Sequence, residues 1–149
     1  MELHSDFKEL LELLNAHEVD YLIVGGYALA LLGAPRFTGD LDIYLSTHRN
    51  NARKVISVLE GFGFGTLPLT EDDFSKQNQV IQLGVPPVRI DFVTSIDGVK
   101  WEKAWASRVD GKWGDVPVSY LSREDFISNK RASGRMKDLA DIESLGETP

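Results

Sequence analysis

One short stretch of this 149-residue chain, Asp40-Leu41-Asp42-Ile43, combines alternating hydrophobicity with two closely spaced carboxylates. Successive side chains of a β-strand point to opposite faces, so a strand here buries Leu41 and Ile43 and leaves both carboxylates together on the other face. Two carboxylates held that close repel each other unless a cation lies between them. Mg²⁺ prefers such oxygen ligands and completes its shell with water and phosphate oxygens. The pattern therefore predicts a strand over residues 40–46 that carries a metal–phosphate site.

A glycine pair lies upstream of this strand. The apolar run Tyr21–Val24 predicts a short strand, Gly25-Gly26 a turn, and residues 27–32 a short buried helix. Glycines at such a turn let the backbone approach an anion, and the start of a helix offers free N–H groups. Paired glycines are also typical of an ordinary tight turn. The pair alone therefore leaves both interpretations open.

A third carboxylate interrupts a later apolar strand, Val88–Val93. A single acid in such a strand is unfavourable unless it has a partner. Asp91 can pair with Arg89, two residues earlier on the same face. Alternatively, it lies beside Asp40 and Asp42 if the two strands are neighbours, and three carboxylates suit two-metal phosphoryl transfer. We therefore predict Asp40, Asp42 and Asp91 as catalytic and metal-binding residues, with the ion pair as the alternative.

The basic residues of the chain cluster near its end. Lys130, Arg131, Arg135 and Lys137 follow one another with no acid between them, and Arg36 precedes the first carboxylate. Such side chains can neutralise the charge of a nucleoside triphosphate. A solvated helix face explains the cluster equally well.

Two other kinds of acidic site fit the spacing poorly. A calcium-binding loop that began at Asp40 needs glycine at its sixth position, where this chain has Leu45. A dinucleotide-binding strand–helix–strand unit needs about thirty residues, and the segment from Tyr21 to Ile43 is shorter and lacks the glycine fingerprint. A solvent-facing acidic strand face remains the simplest alternative to a metal site.

The remaining patterns alternate helices with short strands and predict an α+β fold. Residues 79–83 and 88–93 form a predicted hairpin around the loop 84–87, and Gly111–Gly114 a predicted turn before a strand over 116–121. Gly61 is predicted to end the helix that follows the acidic strand. Ser122 is predicted to cap the closing helices, which extend to about residue 145. By its length, the chain of residues 1–149 is expected to form a single domain.

Composition excludes several functions. The chain has no cysteine, which excludes disulfides and thiolate metal sites, and its net charge of −7 opposes a broad nucleic-acid surface. No apolar run approaches a membrane span, and the first residues lack the basic region of a signal peptide. We therefore expect a cytoplasmic protein without membrane contact, in which a small local nucleic-acid contact remains open.

Taken together, Gly25-Gly26, Asp40-Leu41-Asp42-Ile43 and Asp91 resemble the DNA polymerase β-like nucleotidyltransferase superfamily. Residues 24–28 and 36–42 more narrowly resemble small bacterial nucleotidyltransferases related to abortive-infection and toxin–antitoxin systems, and residues 129–142 are similar to the closing motif of that group. The resemblance implies a nucleotidyltransferase fold, in which a small mixed β-sheet is flanked by helices.

The resemblance also implies an activity: transfer of a nucleoside monophosphate from a triphosphate to a hydroxyl acceptor, with release of pyrophosphate. Asp40 and Asp42 would bind two Mg²⁺ ions (or Mn²⁺), and Asp91 would bind the catalytic ion and help to deprotonate the acceptor hydroxyl. The residues expected to bind the nucleotide are Gly25, Gly26, Tyr27, Arg36, Thr38, Lys130 and Lys137.

Two departures from the superfamily bear on this expectation. Many members have a serine after the first glycine of the turn, and Gly26 lacks that hydroxyl. Many also add a helical acceptor-binding domain after the closing motif, which these residues do not include. The acceptor (a protein, an RNA end or a small molecule) is then expected on a partner surface, on a homo-oligomer or on the final helices. The alternative is a catalytically idle domain that serves as the partner-binding component of a toxin–antitoxin-type system.

Overall fold

The computed structural model describes residues 3–85 and 87–149, so Met1, Glu2 and Pro86 of the predicted loop lie outside the described residues. The strands are β1 (Tyr21–Val24), β2 (Asp40–Leu45), β3 (Val80–Leu83), β4 (Arg89–Val93), β5 (Val109–Trp113) and β6 (Val116–Tyr120). The helices are α1 (Ser5–Ala16), α2 (Gly25–Leu31), α3 (Arg49–Leu59), α4 (Glu71–Ser75), α5 (Trp101–Ala106), α6 (Arg123–Ser133) and α7 (Met136–Ser144).

The strands form one mixed sheet in the order β3–β4–β2–β1–β6–β5. Strand β2 is central: it pairs antiparallel with β1 and parallel with β4. Helices accompany the sheet, with α1 packed against β6 and α3, and α6 against α7. The predicted α+β fold, a small mixed sheet flanked by helices, is confirmed.

The alternating apolar and acidic side chains of β2 are buried and partly exposed as expected. Leu41 and Ile43 are fully buried in the core, whereas Asp40 and Asp42 on the other face are partly exposed. Tyr44 continues the acidic face but is buried, because its ring packs edge-on against Trp101 and its hydroxyl donates to the Val99 carbonyl. One end of this face is therefore polar and the other end is covered.

The predicted turn at Gly111–Gly114 is wrong. Strand β5 runs through Gly111, which pairs with Val118 of β6, and the reversal falls at Gly114, whose φ is +62°. The Tyr120 ring lies over Gly111, where an added β-carbon would be 3.2 Å from Cε1. A glycine inside a strand is favoured where a neighbouring side chain approaches the backbone this closely.

Helix boundaries agree with the sequence at some positions and not at others. Ser122 caps α6 as predicted, because its Oγ accepts the Asp125 backbone N–H, and Gly134 ends that helix with a φ of +64°. Gly61 does not end the preceding helical region, since α3 continues into a π-helical segment, Glu60–Phe64. Among the residues that the structure describes, no helix is both long and apolar enough to cross a membrane.

Candidate active site

Three carboxylates meet on the exposed face of β2 and β4. The parallel register sets Asp42 directly beside Asp91 and Asp40 beside Arg89. One carboxylate oxygen from each of Asp40, Asp42 and Asp91 lies within 4.8 Å of the others. Neighbouring strands therefore bring together the three acids that the sequence singles out.

The electrostatics of this cluster favour a cation. Burial raises the pKa of Asp42 to about 7, and the negative charges of Asp91 and Asp40 add to this effect, while the positive charge of Lys130 opposes it. A bound divalent ion would remove the repulsion between the acids. Three convergent carboxylate oxygens are also the ligand type that Mg²⁺ and Mn²⁺ take. The residues therefore fit a divalent metal.

The glycine turn lies against the same acids. Gly25 begins α2 with a φ of +67°, and a β-carbon there would collide with Oδ2 of Asp42 and lie 3.1 Å from its Cγ. Position 25 thus requires glycine for two reasons: the left-handed backbone and the close approach of Asp42. The turn and the acidic strand pack as one unit.

We expect Gly25→Ala to destabilise the fold and to displace the Asp42 carboxylate. The left-handed backbone alone disfavours alanine by about 1–2 kcal/mol. Gly114→Ala is the matched control, because Gly114 has a similar φ of +62° and no atom within 4 Å of an added β-carbon. Thermal unfolding of both variants isolates the collision: Gly25→Ala should lose more stability than Gly114→Ala. Equal losses would mean that Asp42 moves aside freely.

A side chain at Gly26 would be crowded by Thr38 and Arg36. A β-carbon on Gly26 would lie 3.0 Å from the Thr38 Cβ and 3.1 Å from Nη1 of Arg36. The Thr38 hydroxyl itself donates to the Asp40 carbonyl at 3.2 Å and accepts from the Asp40 N–H at 3.4 Å. Thr38 and Arg36 thus occupy the space beside Gly26.

The side chain of Tyr27 is buried and does not face a ligand site. Its ring is buried between Phe7, at a centroid distance of 5.6 Å, and Trp113, at 4.7 Å. Burial, together with the negative charge of Asp40, raises the pKa of the Tyr27 hydroxyl. Its side chain is therefore part of the core, so Tyr27 would contact a ligand at the turn through its backbone.

The predicted basic cluster is divided by the structure. Lys130 is buried, and its Nζ lies 3.3 Å from Asp138 Oδ1 and 3.7 Å from Asp141 Oδ2. Arg36 donates to the same Asp141 through Nε at 2.8 Å and Nη2 at 3.1 Å. Both acids belong to α7, so this helix holds the two predicted cations beside the carboxylates and the glycine turn.

The other basic residues of the cluster are more exposed. Arg135 is largely exposed and pairs with Asp138 at 2.8 Å, Arg131 donates to the Thr148 carbonyl, and Lys137 is exposed on α7. Of the four clustered residues, Lys130 is thus the one whose charge acts on Asp42.

Arg89 belongs to the site, although the predicted site residues do not include it. Its Nε and Nη2 donate to the two oxygens of Asp91, both at 2.9 Å, and Nε lies 3.9 Å from Asp40 Oδ1. The two interpretations of Asp91 are therefore both realised, since Asp91 pairs with Arg89 and also lies beside Asp42. The spacing of two residues along one strand was the sequence signal for this contact.

A cleft opens beside Asp42. It has a volume of about 420 Å³, and its lining includes Gly25, Asp42, Lys130 and Arg135. A second cavity of about 500 Å³, which is lined by Tyr44, Val99 and Glu102 among others, shares Ser95 and Ile96 with it. Both volumes lie in the range of small-molecule sites.

The family assignment agrees with this geometry. Residues 1–146 match the model of a family described as a nucleotidyltransferase of unknown function, DUF6036. The chain belongs to this family. A comparison with curated proteins found none that matches this nucleotidyltransferase.

Solved structures share the fold of this DUF6036 nucleotidyltransferase. TM1012 of Thermotoga maritima, described as a nucleotidyltransferase, is 15% identical with a TM-score of 0.58, and the match covers 93% of this chain and 87% of that one. An antigenic nucleotidyltransferase-like protein of Paracoccidioides brasiliensis is 22% identical, with a TM-score of 0.51 and coverages of 97% and 76%. ANT(2")-Ia, solved in complex with adenylyl-2"-tobramycin, is 15% identical, with a TM-score of 0.55 and coverages of 93% and 82%.

Proposed function

We propose that this nucleotidyltransferase moves a nucleoside monophosphate from a nucleoside triphosphate to a hydroxyl acceptor and releases pyrophosphate. The observation that carries the proposal is the meeting of three carboxylate oxygens within 4.8 Å, beside a glycine turn and a buried lysine. We further propose that residues 1–149 act as one domain and that the protein works in the cytoplasm.

Asp40, Asp42 and Asp91 would hold two divalent ions, Mg²⁺ or Mn²⁺. Such ions neutralise the charge that develops on the attacking and leaving oxygens of phosphoryl transfer. Asp91 would accept the proton of the acceptor hydroxyl, which requires one of its oxygens to be free of Arg89. Asp40 and Asp42 would orient the reacting phosphate through their position on the exposed face of β2.

The triphosphate would lie between the glycine turn and α7. In this proposal, the backbone N–H groups of Gly25, Gly26 and Tyr27 and the Thr38 hydroxyl donate to phosphate oxygens. Three basic side chains, Arg36, Lys130 and Lys137, neutralise the remaining charge. Lys130 and Arg36 are held in place by the acids of α7, so they need little ordering when the ligand binds.

The two adjoining cavities suggest where the rest of the substrate binds. A nucleoside attached to a triphosphate in the cleft can extend past Ser95 and Ile96 into the second cavity, whose lining is partly apolar. The ANT(2")-Ia complex contains an adenylylated aminoglycoside. For the present chain, a protein, an RNA end and a small alcohol are the acceptor classes that we propose to test.

The decisive experiment is isothermal titration of the four nucleoside triphosphates with and without Mg²⁺. The wild-type chain is compared with Asp40→Asn/Asp42→Asn. The control variant, Asp110→Asn/Asp115→Asn, removes two exposed acids from β5 and the β5–β6 turn, at the other edge of the sheet. We expect binding that requires Mg²⁺, is lost in the first variant and is kept in the control.

Each outcome of the titration is informative. Metal-dependent binding that needs the two carboxylates supports nucleotidyl transfer and identifies the base. The absence of binding for every triphosphate favours the idle, partner-binding alternative, and the search then turns to a protein partner. Binding that the first variant retains would contradict the assignment of the site.

A further inference from the structure

Arg89 contacts the carboxylates that the metal would use. It approaches Asp91 with two parallel hydrogen bonds of 2.9 Å, which engage both oxygens of that carboxylate. It also lies 3.9 Å from Asp40 Oδ1. Two of the three acids of the metal site are therefore in ionic contact with one guanidinium group.

The guanidinium and a divalent ion compete electrostatically for the same carboxylates. The side chain of Asp91 is only 10% exposed, so solvent screens its interaction with the guanidinium weakly. An arginine retains its charge at all physiological pH values, so it does not leave the acid by losing a proton. Because two positive charges at one carboxylate repel each other, a metal ion bound at Asp91 favours movement of the Arg89 side chain away from it.

Arg89 is placed to make that movement. It is the first residue of β4, and its side chain is 31% exposed. A partly exposed arginine at a strand end can change rotamer without disturbing the core, and a phosphate group is an equally suitable bidentate partner.

We propose that Arg89 is an internal counter-cation that competes with the metal for Asp91 and Asp40. In the absence of nucleotide it neutralises the acids and lowers their affinity for the ion. When a triphosphate is present, its phosphates offer the guanidinium a new partner and release Asp91, so that metal and nucleotide bind cooperatively. This inference rests on the proposed function, because it presupposes that the acids bind metal.

The test measures Mn²⁺ binding directly, by electron paramagnetic resonance, with and without ATP. The variants are Arg89→Gln and, as control, Arg53→Gln, which removes an arginine that pairs with Glu71 on the outside of α3 and α4. Without ATP, Arg89→Gln should bind Mn²⁺ at least about tenfold more tightly than the wild type, which corresponds to 1.4 kcal/mol. ATP should increase the Mn²⁺ affinity of the wild type more than that of Arg89→Gln.

Unchanged or weaker Mn²⁺ binding by Arg89→Gln would overturn the inference, since it would give Arg89 a purely structural role. If Arg89→Gln fails to fold, Arg89→Lys carries the test. Lysine keeps the positive charge but lacks the two-pronged geometry, so its Mn²⁺ affinity should also rise, and no rise would again overturn the inference.

The failure of the proposed function would be seen differently. In that case neither the wild type nor the Arg89 variants bind Mn²⁺, with or without ATP. Wild-type Mn²⁺ binding that Arg89→Gln leaves unaltered would retain the metal site and reject the role of Arg89 alone.

Discussion

Asp42→Asn should abolish metal-dependent triphosphate binding and at the same time make the metal-free protein more stable. The variant removes a ligand of the proposed ions, and we expect a loss of affinity greater than the roughly 10- to 100-fold that is typical of outer-shell partners. It also removes a carboxylate that is buried among other acids. Loss of binding with gain of stability is not expected for a residue that serves only the fold.

The gain in stability should depend on pH. The pKa of Asp42 is raised from 3.8 to about 7 in the folded protein. Between these values the folded state binds more protons than the unfolded state, so the free energy of unfolding falls as the pH rises from about 4 to 7. Three pKa units correspond to about 4 kcal/mol, at 1.36 kcal/mol per unit. The advantage of Asp42→Asn should therefore be largest above pH 7.

Differential scanning calorimetry in the presence of a chelator measures this effect. Wild type and Asp42→Asn are compared across the range from pH 5 to pH 8, with Asp115→Asn as a control for the loss of one exposed acid. The wild type and the control should lose stability with rising pH, and Asp42→Asn should lose less. Parallel pH curves for all three proteins would show that neither burial nor the neighbouring acids raise the pKa of Asp42 in the folded state.

The local features of the site are predictable from the sequence because they depend on neighbours along the chain. The alternation around Asp40 and Asp42 sets the buried and exposed faces of β2 without reference to any other segment. The cap at Ser122 is likewise local. Arg89 and Asp91 are two residues apart, which is why their ion pair could be anticipated.

For Asp91, an ion pair with Arg89 and a place in the carboxylate cluster are alternatives in the sequence, yet the structure contains both. In a sheet, a side chain contacts both its own strand neighbours and the residue opposite it on the next strand. Asp91 does both, with Arg89 on its own strand and Asp42 on β2. A pattern within one strand cannot show which strand is adjacent, so the two interpretations looked exclusive although they are compatible.

The environment of the cations depends on how separate parts of the chain pack together. Arg36 pairs with Asp141, which is 105 residues away in the sequence. Lys130 and Asp138 lie on different helices that meet after the bend at Gly134. A basic cluster in the sequence gives no information about such partners. The packing of α6 and α7 is what divides the cluster into one buried lysine and several exposed side chains.

Asp138→Asn should be among the most destabilising conservative changes in the protein. Asp138 is fully buried, accepts from Lys130 at 3.3 Å and from Arg135 at 2.8 Å, and caps α7 through the Arg135 backbone N–H. Removal of one partner from a buried ion pair is destabilising by about 3–5 kcal/mol when the other charge is left uncompensated. Asp141 still compensates Lys130 in part, at 3.7 Å, so we expect a loss near the lower end of this range. Triphosphate affinity should fall as well, because Lys130 loses one of the two acids that hold it beside the cleft.

Asp73→Asn is the matched control for the capping contribution. Asp73 occupies the same third position of α4 and accepts from the Thr70 backbone N–H at 2.8 Å, in a partly exposed place. Loss of a helix cap is destabilising by about 1 kcal/mol. Urea unfolding of both variants separates the cap from the buried charge, and equal losses would show that the ion pair with Lys130 adds nothing.

A double variant tests whether the loss of stability in Asp138→Asn arises because Lys130 keeps only one of its two acidic partners. In Lys130→Met/Asp138→Asn both charges are removed, and replacement of a buried ion pair by uncharged groups is much less destabilising than the loss of one partner. The double variant should therefore be more stable than Asp138→Asn, yet should still bind triphosphate weakly. Restored folding without restored binding would separate the two roles of Lys130, as the partner that neutralises Asp138 and as the cation that faces the nucleotide. Simple additivity of the two losses would instead mean that the charges do not interact.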